Sequence, residues 1–148
     1  MRRSRRQSKK LLTKPLLPDT NVLVYETVED SPHHEEAANI IDAAAKIILP
    51  SIVVHEYIWV MVKKLGVPPG FVTRKLQEYL EDPRTRYLAE PPTALYQALR
   101  LLEEHSASPR EVNDYIILAT AMYHGTVLAT FDEKLRKLAQ KLGVETTP

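Results

Sequence analysis

Cysteine is absent from the 148 residues, and glycine occurs only four times. The first absence excludes a disulfide framework, thiolate zinc centres, iron–sulfur clusters and cysteine nucleophiles. The second goes with the lack of any phosphate-cradling P-loop or dinucleotide fingerprint, each of which places several glycines in one short loop. No serine stands in a G-x-S-x-G elbow, so a hydrolase triad built on that turn is excluded as well. Long apolar runs are missing too. The longest, residues 52–62, is broken by His55 and Glu56, whereas a membrane helix needs about 20 consecutive apolar residues. The basic start leads into no apolar segment and cleavage site of a secretory signal. We therefore expect a soluble, cytoplasmic protein without membrane association.

What is present suits a globular chain. Hydrophobic residues make up 44% and charged residues 26%, near the averages for soluble domains. The length suits one domain with a core large enough to need no covalent or metal staple. The net charge of +1 conceals an asymmetry. Seven of the 20 Lys and Arg residues lie within the first 14 positions, which hold no acid, leaving 13 against 19 Asp and Glu in the body. We expect residues 1–14 to be a basic, disordered tail and residues 15–148 a single folded domain. Arg2, Arg3, Arg5, Arg6, Lys9 and Lys10 suit contacts to nucleic-acid phosphates, each of which releases counterions when neutralised. A solvated leader without a partner is the alternative.

Short apolar segments alternate with longer amphipathic ones. Strands are expected at 15–18, 46–49, 84–89 and 126–130, with an edge strand at 144–146. A turn of helix should follow Asp19. Further helices are expected at 31–45, 51–65, 71–80, 93–105, 109–124 and 133–142. Ser31-Pro32 and Ser108-Pro109 each pair a serine N-cap with proline at the first helical position, and Ser51 is placed to cap the helix after it. Gly66 and Gly125 end helices. The alternation gives an α/β class, a short parallel sheet flanked by helices.

In such sheets ligands sit outside the carboxyl ends of the strands. Asp19 ends the first strand and Asp132 follows the fourth, so both should share one rim. Each also has a structural explanation, an Asx turn for Asp19 and a helix N-cap for Asp132. Glu56 is harder to explain locally: its helical neighbours Ile52, Val53, Trp59 and Val60 are apolar. A carboxylate there costs several kcal/mol unless it is paired, protonated or bound to a cation. Asp114 adjoins the apolar run 115–121 and poses the same question. Four carboxylates drawn together would repel and raise at least one pKa. A hard divalent cation such as Mg²⁺ or Mn²⁺ removes that conflict. The alternative is that the acids are caps and salt-bridge partners. His55-Glu56 is not a zincin motif, since the second histidine would fall at Trp59, and the pair His33-His34 stands at a helix start where solvated polar residues are ordinary.

From about residue 16 to 144 the chain resembles PIN-domain proteins, among them the VapC-type toxin ribonucleases. Asp19-Thr20-Asn21 resembles the opening D-T/S-N motif of that family. Glu56 in VVHEYIWV stands where the family keeps a helical glutamate. Asp114 in NDYIILATA resembles the third acid, and Thr130 and Asp132 in LATFDEKL match T-x-D. The resemblance implies a three-layer α/β/α PIN-like fold and metal-dependent hydrolysis of RNA. Asp19 and Asp114 would be the main ligands of Mg²⁺ or Mn²⁺. Glu56 and Asp132 would complete the cluster, with Asn21 and Thr130 in supporting hydrogen bonds. It also implies a homodimer and, for a VapBC-type toxin, an antitoxin protein that silences it. A stand-alone RNA-processing nuclease and a non-catalytic RNA- or protein-binding module are the other expectations. Beyond the tail, Arg84, Arg86 and Arg110 are candidates for guiding RNA.

Overall fold

Apolar β-strand residues without alternation are the mark of a parallel sheet covered on both faces, and the central strands here are buried at every position. The computed structural model describes residues 14–148. The basic residues Arg2, Arg3, Arg5, Arg6, Lys9 and Lys10 lie outside the described residues. Five parallel strands, β1 (Leu16–Pro18), β2 (Ile47–Pro50), β3 (Thr85–Leu88), β4 (Val127–Ala129) and β5 (Thr146–Thr147), form one sheet in the order β3-β2-β1-β4-β5. Leu16 of β1 is registered with Ile47 of β2 on one side and Val127 of β4 on the other. The edge strands are more polar: β3 exposes Arg86 and Tyr87, and β5 is Thr-Thr.

Among the described residues, seven α-helices connect and cover the strands: α1 (Thr20–Thr27), α2 (His34–Ala43), α3 (Ser51–Trp59), α4 (Pro69–Leu80), α5 (Pro92–Glu104), α6 (Val112–His124) and α7 (Glu133–Lys141). The architecture is the expected three-layer α/β/α arrangement. The main core joins Leu17, Leu49 and Leu128 of the sheet to Val22, Leu23, Val53, Tyr57, Ile117 and Leu118 of the helices, all at most 2% exposed. A second cluster lies between α5 and α6, where Ala94 and Ala98, one turn apart, pack with Tyr115 and Ala119. Among the described residues, no helix is long and apolar enough to cross a membrane.

Several local expectations are corrected. The Ser31 hydroxyl accepts from the His33 N–H, and the His34 N–H closes a turn on the Ser31 carbonyl. That turn precedes the helix, so α2 begins at His34. Pro50 belongs to β2, and Ser51 is the first residue of α3 instead of its cap. The cap comes from just beyond the neighbouring strand β3: the Glu90 carboxylate accepts from the Ile52 N–H at 3.1 Å and from the Ser51 hydroxyl at 2.7 Å. The α-helix α3 stops at Trp59 and widens into a π-turn over Val60–Lys64, closed by the Leu65 N–H on the Val60 carbonyl. Pro69 and Gly70 do not break the chain before α4 but form its first turn, a position that tolerates proline because no donor is needed there. The helix after Asp19 runs for eight residues. Ser108 behaves as expected, in a reciprocal capping box with Glu111, although its first turn is a 3₁₀ helix.

Arg84 is engaged in structure instead of facing a ligand. Its guanidinium donates to the Ile41 and Ala44 carbonyls at the end of α2, both at 2.9 Å, and to the Asp82 carboxylate. Hydrogen bonds from a charged donor are worth about 1.5–3 kcal/mol each. Arg84→Met should therefore lower unfolding free energy by about 1.5–3 kcal/mol in urea titrations. Arg86→Met, an exposed change two residues further on in β3, should stay within about 0.5 kcal/mol.

Candidate active site

The chain runs from β1 to β2 and β3 on one side of the sheet, while β4 and β5 extend the other. The order thus reverses between β1 and β4, and crevices at such reversals are where open α/β sheets take ligands. Parallel pairing continues one residue beyond each strand here: the Asp19 N–H donates to the Ala129 carbonyl at 2.8 Å, and the Thr130 N–H to the Thr147 carbonyl at 2.9 Å. Asp19 and Thr130 are thereby fixed side by side at the carboxyl rim.

Asp19 is 6% exposed and Thr130 fully buried. One carboxylate oxygen of Asp19 accepts the Thr20 N–H at 2.7 Å, which caps α1, and the other accepts the Thr130 hydroxyl at 3.0 Å. The Thr130 oxygen in turn accepts the Asp132 N–H at 3.0 Å. Asp132 is exposed and caps α7 by accepting the Leu135 N–H. The two structural explanations offered for these acids, Asx-type cap and N-cap, are therefore both present in the geometry. They leave Asp19 without a cationic partner among the described residues.

Glu56 reaches the same rim from the middle of α3. It is half-buried and accepts the Thr20 hydroxyl at 3.2 Å. Asp114 lies in the first turn of α6, where the helix dipole favours negative charge. Asp114 and Asp132 line one groove of about 570 Å³. Glu56 lines a neighbouring groove with Asn113. Asn21 stands apart, exposed on α1 and making no side-chain hydrogen bond among the described residues. Of the guiding residues considered, Arg110 sits on the turn that leads into Asp114. The paired histidines serve packing and turn geometry: the His33 ring stacks on Phe131 with centroids 4.6 Å apart, and a His34 ring nitrogen lies 3.0 Å from the Tyr25 carbonyl.

The four acids feel one another. Burial pushes the Asp19 carboxyl up to about 6, with repulsion from Glu56 and Asp132 adding to it and the Thr130 and Thr20 hydrogen bonds opposing it. Asp114 is pushed up to about 7, by burial first and then by Asp19, Asp132, Glu56 and Glu111. Such a set, all oxygen and short of positive charge, fits a hard divalent cation. Among the described residues no three acidic or histidine side chains are close enough to form a finished cage.

A model of the PIN domain matches residues 16–141. The chain belongs to the PIN domain family. Its fold is shared with VapC20 of Mycobacterium tuberculosis, a sarcin-ricin loop cleaving toxin (TM-score 0.72, 15% identity, covering 90% of this chain and 99% of that one). It is shared too with VapBC2 of Rickettsia felis, solved on a DNA fragment from its promoter (0.66, 19%, 90% and 98%). FitAcB of Neisseria gonorrhoeae is a third such structure (0.60, 24%, 90% and 96%). No curated protein matches the chain.

Within this PIN domain, three side chains at the rim carry roles that their local sequence does not announce. Thr20 bridges Asp19 and Glu56 through its N–H and its hydroxyl. Arg136 donates to the Thr130 carbonyl at 3.1 Å and so steadies the segment between the two aspartates. Lys134 pairs with Glu111, beside Asp114. Thr20 lies inside the D-T-N motif and could have been found there; the two cations are identified only by contacts between separate elements.

The raised acids make stability depend on pH with a definite sign. In the unfolded chain both carboxyls have the ordinary value of 3.8, whereas in the fold they hold their protons up to about 6 and about 7. Their protonation thus stabilises the metal-free protein in acid, and that contribution is lost as pH rises from about 4 to about 7. Melting temperature in EDTA should fall across this interval. Asp114→Asn should flatten the fall and raise the melting temperature at pH 8, as followed by circular dichroism.

Proposed function

We propose that this PIN domain is a divalent-metal-dependent endoribonuclease, the toxin of a VapBC-type pair. The observation that carries the proposal is that Asp19, Glu56, Asp114 and Asp132 lie near enough at the β1–β4 reversal to repel one another, while burial, ahead of that repulsion, holds Asp19 and Asp114 above the ordinary carboxylate range. Asp19 and Asp114 would hold Mg²⁺ or Mn²⁺ directly, and Glu56 and Asp132 would complete the cluster. A bound divalent ion supplies Lewis acidity, a more acidic water and charge neutralisation at a phosphodiester. The chain's own residues do the positioning. Thr130 and the Thr20 N–H fix the Asp19 carboxylate through two hydrogen bonds, so its free lone pairs point along a set direction. Thr20 does the same for Glu56, leaving its second oxygen able to accept a proton from an attacking water. Asp132 is oriented by its cap to α7.

The toxin assignment is supported by the fold shared with the VapC20, VapBC2 and FitAcB structures. An antitoxin that silences such a site need only deliver a positive side chain to its four acids. A homodimer is part of the same proposal.

End-labelled RNA incubated with the purified protein and Mn²⁺ should be cut internally. Cleavage should vanish in EDTA and fall at least 100-fold in Asp114→Asn, by the size of effect typical for positioned catalytic groups. Cleavage that persists in the variant would remove Asp114 from the site. Saturating Mn²⁺ at 100 times its dissociation constant should add about 2.7 kcal/mol to stability, seen as a higher melting temperature that the variant lacks.

A further inference from the structure

Four acids at one rim repel a polyanion, so a substrate strand must be held by something beside them. The face of α3 that carries Glu56 continues directly into such a feature. Trp59 stands one turn beyond Glu56, on the same side of the helix, and is 48% exposed. Ile52, His55, Glu56, Trp59, Glu90 and Asn113 line a single groove of about 480 Å³. Leaving an indole half in water is costly for a residue of this size, and apart from Ile52 the residues that line the groove with it are polar or charged. The Lys64 ammonium lies 4.7 Å from the centre of the ring and that of Lys63 lies 5.8 Å away.

The π-turn explains why both lysines are there. In an uninterrupted α-helix the residue four positions on shares the face of Trp59, and the residue five on has turned away. Widening over Val60–Lys64 brings both to the indole. π-turns of this kind are rare and concentrate at functional sites. Neither lysine pairs with a carboxylate among the described residues, so both charges are available to a ligand. From Glu56 to Lys63 the axial distance is about 10 Å at 1.5 Å per residue, within reach of a few nucleotides.

We propose that this face of α3 is the track for single-stranded RNA leading away from the acidic centre. A base stacks on Trp59, and Lys63 and Lys64 leave the ring to neutralise the phosphates beside it. Aromatic platforms with adjacent cations hold single strands without requiring a particular sequence. The inference rests on the ribonuclease reading and names how its substrate is held.

Trp59 is the only tryptophan in the chain, so its emission reports on the track directly. The protein would carry Asp114→Asn to keep the RNA intact. Unlabelled oligoadenylate is followed by tryptophan emission, and the same RNA carrying fluorescein by anisotropy. Saturable quenching is expected. Trp59→Ala should weaken binding about 5- to 150-fold, the equivalent of 1–3 kcal/mol per stacked base, and Trp59→Phe should restore most of it. Replacing both lysines with Gln should reduce the slope of log K against log salt by about 1.4. RNA that binds without quenching, and equally well to Trp59→Ala, overturns the track while leaving the ribonuclease reading in place. No RNA binding by any form overturns both. If Trp59→Ala dissociates a dimer in light scattering with RNA affinity unchanged, the indole belongs to a protein contact and the track is wrong.

Discussion

A carboxylate buried at the end of the central strand, satisfied by hydrogen bonds but by no cation among the described residues, is the constraint around which this PIN domain is organised. Asp19 is 6% exposed and accepts from Thr20 and Thr130. Those two bonds offset part of the desolvation penalty of the charged form, and the rest appears as a raised pKa. The donors exist only because β1 and β4 pair in register up to the rim and because α1 begins immediately after β1. Sheet register, helix start and site electrostatics are thus one arrangement. An engineered neutral residue at position 19 would relieve that penalty and remove the carboxylate on which the proposed metal site centres.

Structural and chemical duties overlap at this rim instead of competing. Asp132 caps α7 with one oxygen and Asp19 caps α1, yet both repel fellow acids, Asp114 among them. A cap uses one carboxylate oxygen, which leaves lone pairs for a second partner. For this reason a local explanation of an acid at a helix start does not argue against chemistry there. Glu56 is the more telling residue, because among the described residues the apolar stripe around it offers no cap and no ion pair, only the Thr20 hydroxyl.

The parts legible in the sequence were those whose signals are local. The buried strands read as short apolar runs, the Ser108-Pro109 start and the Gly125 stop lie within a few residues of what they terminate, and the acids were found by their place at strand ends or in apolar stripes. The parts that were not legible depend on partners far along the chain. Glu90 caps α3 from 38 residues away, so Ser51 looked like the cap when it is the first helical residue. Arg84 closes α2 across more than forty positions, and its charge suggested a ligand where its geometry serves the backbone. Ser31 gave the right turn but the wrong helix start, since its hydroxyl satisfies the His33 N–H, one residue before α2 begins. The widening after Trp59 has no signature in residues 60–64, which hold neither glycine nor proline.

The shortest strand sets a boundary that family resemblance does not. The match to the PIN domain ends at residue 141, yet β5 lies beyond it and provides the carbonyl that receives the Thr130 N–H. A fragment cut at the family boundary would leave β4, Val-Leu-Ala, as an uncovered apolar edge able to pair with other chains. It would also release the backbone that aims Thr130 at Asp19. For protein engineering, the functional minimum of this domain therefore extends through Thr147, and fusions are better joined through a spacer than abutted to the final strand.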